Sequence, residues 1–228
     1  MTDFPKFSLA YLTIIGTHPL RMVEIAAGAG YDYVSVRFNG VAPGEVPFPF
    51  LTDRSLVRDF KSKLAATGLE VLDAELVRVG PDGDPDEFEQ FMDVAAEVGA
   101  KHLVVQLPDP DRDRAAHNLA RLSELAAQRG LTADVEFIPW TPTCDLATTV
   151  DIINRAAHPN AGILVDTLHF DRSDSSVSQL RVLSPDLFRL IQFCDAPREW
   201  VDTDEELIRV ADAHLYKAKN NGKNQAVS

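Results

Sequence analysis

The sequence predicts an α/β chain folded as a (β/α) barrel of the TIM type, about one strand short of closure. Three observations carry this expectation. Seven apolar runs of strand length recur at intervals of about 25 to 37 residues, helical stripes fill the gaps between them, and polar side chains close several of the runs. Regular alternation of strand and helix implies a parallel sheet with right-handed crossovers.

The strands are expected in SLAYLTI, YVSVRF, EVLDAELVRV, HLVVQL, TADVEFIP, AGILVDTLHF and RLIQFCDA. Each is rich in Val, Ile, Leu or Phe, the residues that fit a pleated, buried surface. The first helix is expected from Pro19 to Gly30, where Leu20, Val23, Ile25 and Ala26 form a stripe, and the second from Asp53 to Gly68, with Leu56, Val57, Phe60 and Leu64. Asp84 followed by Pro85 reads as a cap with proline at the first helical position, and Phe88, Phe91, Met92 and Ala95 carry that stripe to Gly99. Further helices are expected from Asp113 to Gly130 and from Leu146 to Ala157. After Asp195 no eighth strand is legible. Thr203 and Glu206 instead form a capping-box pattern ahead of an apolar stripe at Leu207, Ile208, Val210, Ala211 and Leu215. The expected organisation is therefore a barrel over residues 1–200 and a C-terminal helix and tail over residues 201–228, in place of strand eight. A barrel that stops at seven strands leaves two unpaired edges, which predicts a homodimer through those edges or marginal stability.

The chemistry is expected at the C-terminal ends of the strands, where barrels place their sites. Side chains alternate faces along a strand, so Glu136 points opposite to Val135 and Phe137, Asp166 shares a face with Leu164, and Gln192 points opposite to Ile191 and Phe193. Three oxygen-bearing side chains on successive strand ends suggest a metal site. Two carboxylates and an amide oxygen form a hard donor set, suited to Mg²⁺ or Mn²⁺. Arg37, Glu75 and His102 share the inward parity on their own strands and are candidates for substrate contact. The bland reading of Glu136 and Asp166 is burial against an arginine such as Arg37, and Trp140 and Phe170 either wall a pocket or cap the barrel.

Composition narrows the classes of partner. The chain has 228 residues, 45% of them hydrophobic and 25% charged, with a formal net charge of -13 and a pI near 4.8. Such an acidic chain repels polyanions, so neither nucleic acid nor an anionic membrane is expected as a main partner. No run approaches the roughly 18 apolar residues of a membrane span, and the N-terminal MTDFPKFSLAYLT lacks a long apolar stretch, so a cytoplasmic protein is expected. Cys144 and Cys194 lack metal-binding spacing and read as buried free thiols in a reducing compartment.

The segments LAYLTIIGTHP, VLDAELVRV, DVEFIPW, ILVDTLHFDRS and LIQFCDAP resemble the xylose isomerase-like TIM-barrel superfamily of sugar-phosphate isomerases and epimerases, over roughly residues 7–200. The resemblance implies a divalent cation held by Glu136, Asp166 and Gln192, with Glu136 and His169 catalytic and His169 beside the substrate. The family's further glutamate on strand eight has no counterpart here. A second, local resemblance joins ADAHLYKAKNNGKNQ to the closing helix of diguanylate cyclase domains, and implies a fused C-terminus. The alternative is an ordinary amphipathic helix with a basic last turn.

Three functions stay open at this stage. The first is a metal-dependent isomerase or epimerase that removes a proton next to the carbonyl of a carbohydrate or keto acid. The second is a lyase: glutamine on strand seven with Asp-x-x-His also resembles 3-dehydroshikimate dehydratases. The third is an inactive barrel that survives as a binding module.

Overall fold

The computed structural model describes residues 5–40, 46–194 and 196. The chain divides into two compact units, Met1–Gln192 and Phe193–Ser228. The expected C-terminal helix and the cyclase-like segment lie outside the described residues. Among the described residues of the first unit, seven strands run in the order β1 to β7: Ser8–Leu9, Tyr33–Arg37, Glu70–Arg78, His102–Gln106, Thr132–Glu136, Ala161–Asp166 and Phe188–Gln192. Every neighbouring pair is parallel. The result is a curled half-barrel with helices around it.

The helices are α1 Pro19–Ala29, α2 Arg54–Thr67, α3 Glu89–Glu97, α4 Arg112–Ala127, α5 Leu146–Ala156 and two short ones, α6 Thr167–Asp171 and α7 Val177–Arg181. Their ends follow from side-chain chemistry. Asp53, Asp111 and Asp145 accept hydrogen bonds from backbone amides in the first turns of α2, α4 and α5. Gly30 and Gly68 end α1 and α2 at φ of 82° and 74°, a conformation that glycine adopts without steric cost. Asp84 caps a 3-10 turn, Pro85–Phe88, that leads into α3.

Two apolar layers hold this unit together. The larger lies between sheet and helices and includes Val23, Phe60, Met92, Leu119 and Ile152. The smaller, Leu76, Val104, Leu164 and Leu190, fills the middle of the barrel interior. Polar side chains stand above and below that plug, so the interior is layered along the strands.

Two strands differ from the sequence reading. The run SLAYLTI is a strand only at Ser8–Leu9, because the chain then winds into a 3-10 turn, Tyr11–Ile14, that sets the Tyr11 ring 4.8 Å from the Arg37 guanidinium. The run AGILVDTLHF stops pairing at Asp166, whose carboxylate caps α6 by accepting from the backbone amides of Leu168 and His169 at 2.8 and 2.9 Å. Strand β3 carries two irregularities of register, one against β2 and one against β4, each adding a residue to β3. The Asn39 amide clamps the second, donating to the Leu76 carbonyl at 2.7 Å and accepting from the Leu76 amide at 3.0 Å. The cysteines are not buried: Cys144 is partly exposed and Cys194 exposed, and neither is in a disulfide.

Candidate active site

Glu136, Asp166 and His169 converge at the C-terminal end of the sheet. Each offers a ligand atom, and the three atoms lie within 4.8 Å of one another. Glu136 ends β5, Asp166 ends β6, and the turn that Asp166 caps swings His169 back until its Nε2 is 3.9 Å from Glu136 Oε1. Capping and convergence are thus one local event. Donors about 2.1 Å from an octahedral ion stand roughly 3 to 4.2 Å apart, so a spacing within 4.8 Å is close to what Glu136 and Asp166 would need to share a dication. Gln192 is in register with Asp166 on the adjacent strand β7, half-buried.

Burial dominates the electrostatics. Glu136 is pushed up to about 7, first by desolvation and then by the charges of Asp166 and Glu75, with the hydrogen bond from Gln106 and the charge of Arg37 acting the other way. A cation at this point would replace the proton that burial favours. The His169 imidazole is held below its ordinary value by burial, against the charge of Asp166, and so stays neutral at neutral pH. Its Nδ1 is buried with no hydrogen-bond partner among the described residues, and the Trp140 ring meets it edge-on at 5.2 Å. Trp140 is two-thirds exposed, as the rim of a pocket would be.

The sequence candidates Arg37 and Glu75 are brought together as a buried ion pair. Arg37 Nη2 donates to Glu75 Oε2 at 2.6 Å and Nε at 3.2 Å. Arg37 therefore serves Glu75 rather than Glu136 or Asp166 as an ion-pair partner. Ser35 Oγ lies 2.6 Å from Asp73 Oδ2 and 2.9 Å from Glu75 Oε1. A hydroxyl has one proton to give, so both contacts are hydrogen bonds only when one of the two carboxyls is protonated and donates to Ser35, and the pairing of Glu75 with Arg37 leaves Asp73 for that role. Burial and the adjacent Glu75 push Asp73 up to about 8, in agreement.

His102 is not brought to this cluster. It begins β4, four residues below Gln106 and so about 13 Å from the site along the strand. There its Nδ1 lies 2.7 Å from Thr132 Oγ1 and 2.9 Å from Asp134 Oδ2, in a layer closed by Arg189 on β7. Parity selects the face of a strand, whereas position along the strand selects the layer.

Two residues near Glu136 were missed. Gln106 Nε2 donates to Glu136 Oε2 at 2.6 Å, and Arg78 donates to Gln106 Oε1 from Nε at 2.9 Å and Nη2 at 2.6 Å. Gln106 shares the inward parity of His102 at a strand end, the same signal that singled out Gln192. Arg78 escapes that signal, because the added residue in β3 reverses the parity counted from Glu75.

Comparison with known proteins agrees with this fold. Residues 23–215 match the family model described as xylose isomerase-like TIM barrel. A 3-dehydroshikimate dehydratase from Pseudomonas aeruginosa is 27% identical over 205 residues, 83% of this chain and 30% of the relative, so the chain spans about a third of that curated relative's length. Among solved structures, the IOLI protein with a bound zinc atom aligns with a TM-score of 0.73 at 20% identity, covering 97% of this chain and 87% of that one. A D-psicose 3-epimerase determined in the presence of D-fructose aligns at 0.69 and 14% identity, covering 93% and 82%. The chain belongs to the xylose isomerase-like TIM-barrel family.

Proposed function

We propose that this protein binds a divalent cation, Mg²⁺ or Mn²⁺, and catalyses proton abstraction next to the carbonyl of a small carbohydrate or keto acid, as an isomerase or epimerase does. The convergence of Glu136, Asp166 and His169 carries the reading. Glu136, Asp166 and Gln192 would hold the ion. When bound, it supplies Lewis-acid stabilisation of the enolate oxygen.

The protein's own residues do the rest. Metal-ligating imidazoles normally hand the proton of their second nitrogen to an acceptor, and His169 Nδ1 has none among the described residues, which favours a proton carrier over a ligand. Neutral at working pH, His169 takes a proton from the carbon beside the carbonyl and returns it to the neighbouring position. Gln106 fixes one oxygen of Glu136 and so aims the other at the cluster. Trp140 limits the access of water to the imidazole.

A second reading makes the reaction an elimination. The same proton is removed, its electron pair forms the new double bond, and the β-hydroxyl leaves as water with a proton from His169. The dehydratase relative favours this reading. A homodimer through the outer strands is also proposed, supported by Ile15 near β1 and Ile191 on β7, both more than half exposed.

Solvent-deuterium exchange into D-fructose tests the first reading, and the rise of an aromatic ultraviolet absorbance from 3-dehydroshikimate tests the second. Both are run with and without Mn²⁺. Metal-dependent turnover of one substrate is expected; turnover of neither by the metal-loaded chain would leave only a binding protein.

A further inference from the structure

We infer that Arg78 is the anchor for a carboxylate on the substrate, which makes a keto acid the substrate class; the inference rests on the reading of the site given above. Arg78 ends β3 and is exposed at the same end of the sheet as Glu136. Its hydrogen-bond partner is a neutral amide, and no carboxylate stands within ion-pair distance of it among the described residues. Arg114, Arg121, Arg129 and Arg155 each meet a carboxylate oxygen at 2.6 Å. In a chain of net charge -13, a guanidinium without a counter-charge beside a candidate site calls for an anion from outside.

The hydrogen-bond polarity fixes how that anion is met. The Glu136 carboxylate can only accept when ionised, so Gln106 turns its Nε2 to Glu136 and its Oε1 to Arg78, which can only donate. One acceptor atom therefore occupies the Nε and Nη2 edge of the guanidinium. The Nη1 and Nη2 edge keeps two parallel N–H groups, the geometry that takes a carboxylate through both oxygens. With one amide between them, guanidinium and Glu136 stand about 7.5 Å apart at most, which a ring bearing a carbonyl and a carboxylate spans. Arg37, a cation whose charge reaches Glu136, is committed to Glu75, and the guanidinium of Arg78 by itself matches a monoanion better than a phosphate dianion.

Calorimetry on the full chain with Mn²⁺ tests the inference, with shikimate, its methyl ester and D-fructose 6-phosphate as probes. Shikimate is expected to bind at least tenfold more tightly than the ester. Arg78→Met should reduce the acid to the affinity of the ester, and Arg78→Lys should restore part of the difference. Equal affinities for acid and ester, including no binding of either, would overturn the inference, as would a preference that survives in Arg78→Met. Tighter binding of D-fructose 6-phosphate than of shikimate would replace the carboxylate by a phosphate and overturn it too. Electron paramagnetic resonance of Mn²⁺ in the same samples keeps the two readings apart. Bound Mn²⁺ in wild type and in Arg78→Met is expected; free Mn²⁺ in the wild-type sample sinks the metal reading, while the comparison of acid and ester still decides Arg78.

Discussion

At the scale of residues, the interior carries more acid than its cations balance, and burial decides how that charge is held. Asp73 is the clearest case. Its folded value of about 8 stands above its ordinary 3.8, so the native state binds a proton that the unfolded chain releases. The stability this contributes is complete below about pH 4 and is lost as pH rises through about 8. Glu136, raised to about 7, acts in the same direction. Urea unfolding of the metal-free protein should therefore show lower stability at pH 8.5 than at pH 5.5, and Asp73→Asn should flatten that difference. An unchanged pH dependence in the variant would contradict the assignment. The hydrogen bond from Gln106 to Glu136 gives a second expectation: Gln106→Leu should weaken Mn²⁺ binding by about 10- to 100-fold, the usual cost of losing a group that orients a ligand. Unaltered Mn²⁺ affinity would show that Gln106 orients nothing.

At the scale of elements, much of the site was legible because strand parity and capping chemistry act locally. Glu136, Asp166 and Gln192 could be placed because alternation gave their face and the ends of the apolar runs gave their layer. The swing of His169 over Glu136 could not, because it depends on the Asp166 carboxylate ending β6 and starting α6. Nor could Arg78, since the added residues in β3 break the period of two that parity assumes. His102 had the right face and the wrong layer. The layer it occupies is tightly packed: a Cβ on Gly162 of β6 would collide with Asp134 Oδ1 and press on the Arg189 side chain. Gly162→Ala is expected to cost about 1 to 3 kcal/mol of stability in urea unfolding, an overpacking penalty at the end of the barrel away from Glu136. A neutral effect would mean that this layer is loose.

At the scale of the whole molecule, the seven-strand count and the parallel order followed from the rhythm of apolar runs, and the curled half-barrel bears them out. The C-terminal segment read from a capping box and an apolar stripe lies outside the described residues, and the boundary near residue 200 stays a proposal. The outer strands bear on assembly. Ile191 on β7 is 59% exposed and Ile15, just past the turn that follows β1, is 65% exposed, and exposed apolar side chains at these places favour association. Sedimentation equilibrium is expected to give a dimer, shifted toward monomer by Ile191→Lys; a wild-type monomer at all concentrations would contradict it. Glu136 and Asp166 are proposed to hold one dication beside His169. Anomalous diffraction from crystals soaked in Mn²⁺ tests it most directly. A single strong peak about 2.0 to 2.4 Å from the carboxylate oxygens of both Glu136 and Asp166 is expected, and a manganese site elsewhere, with no density between these two groups, would contradict it.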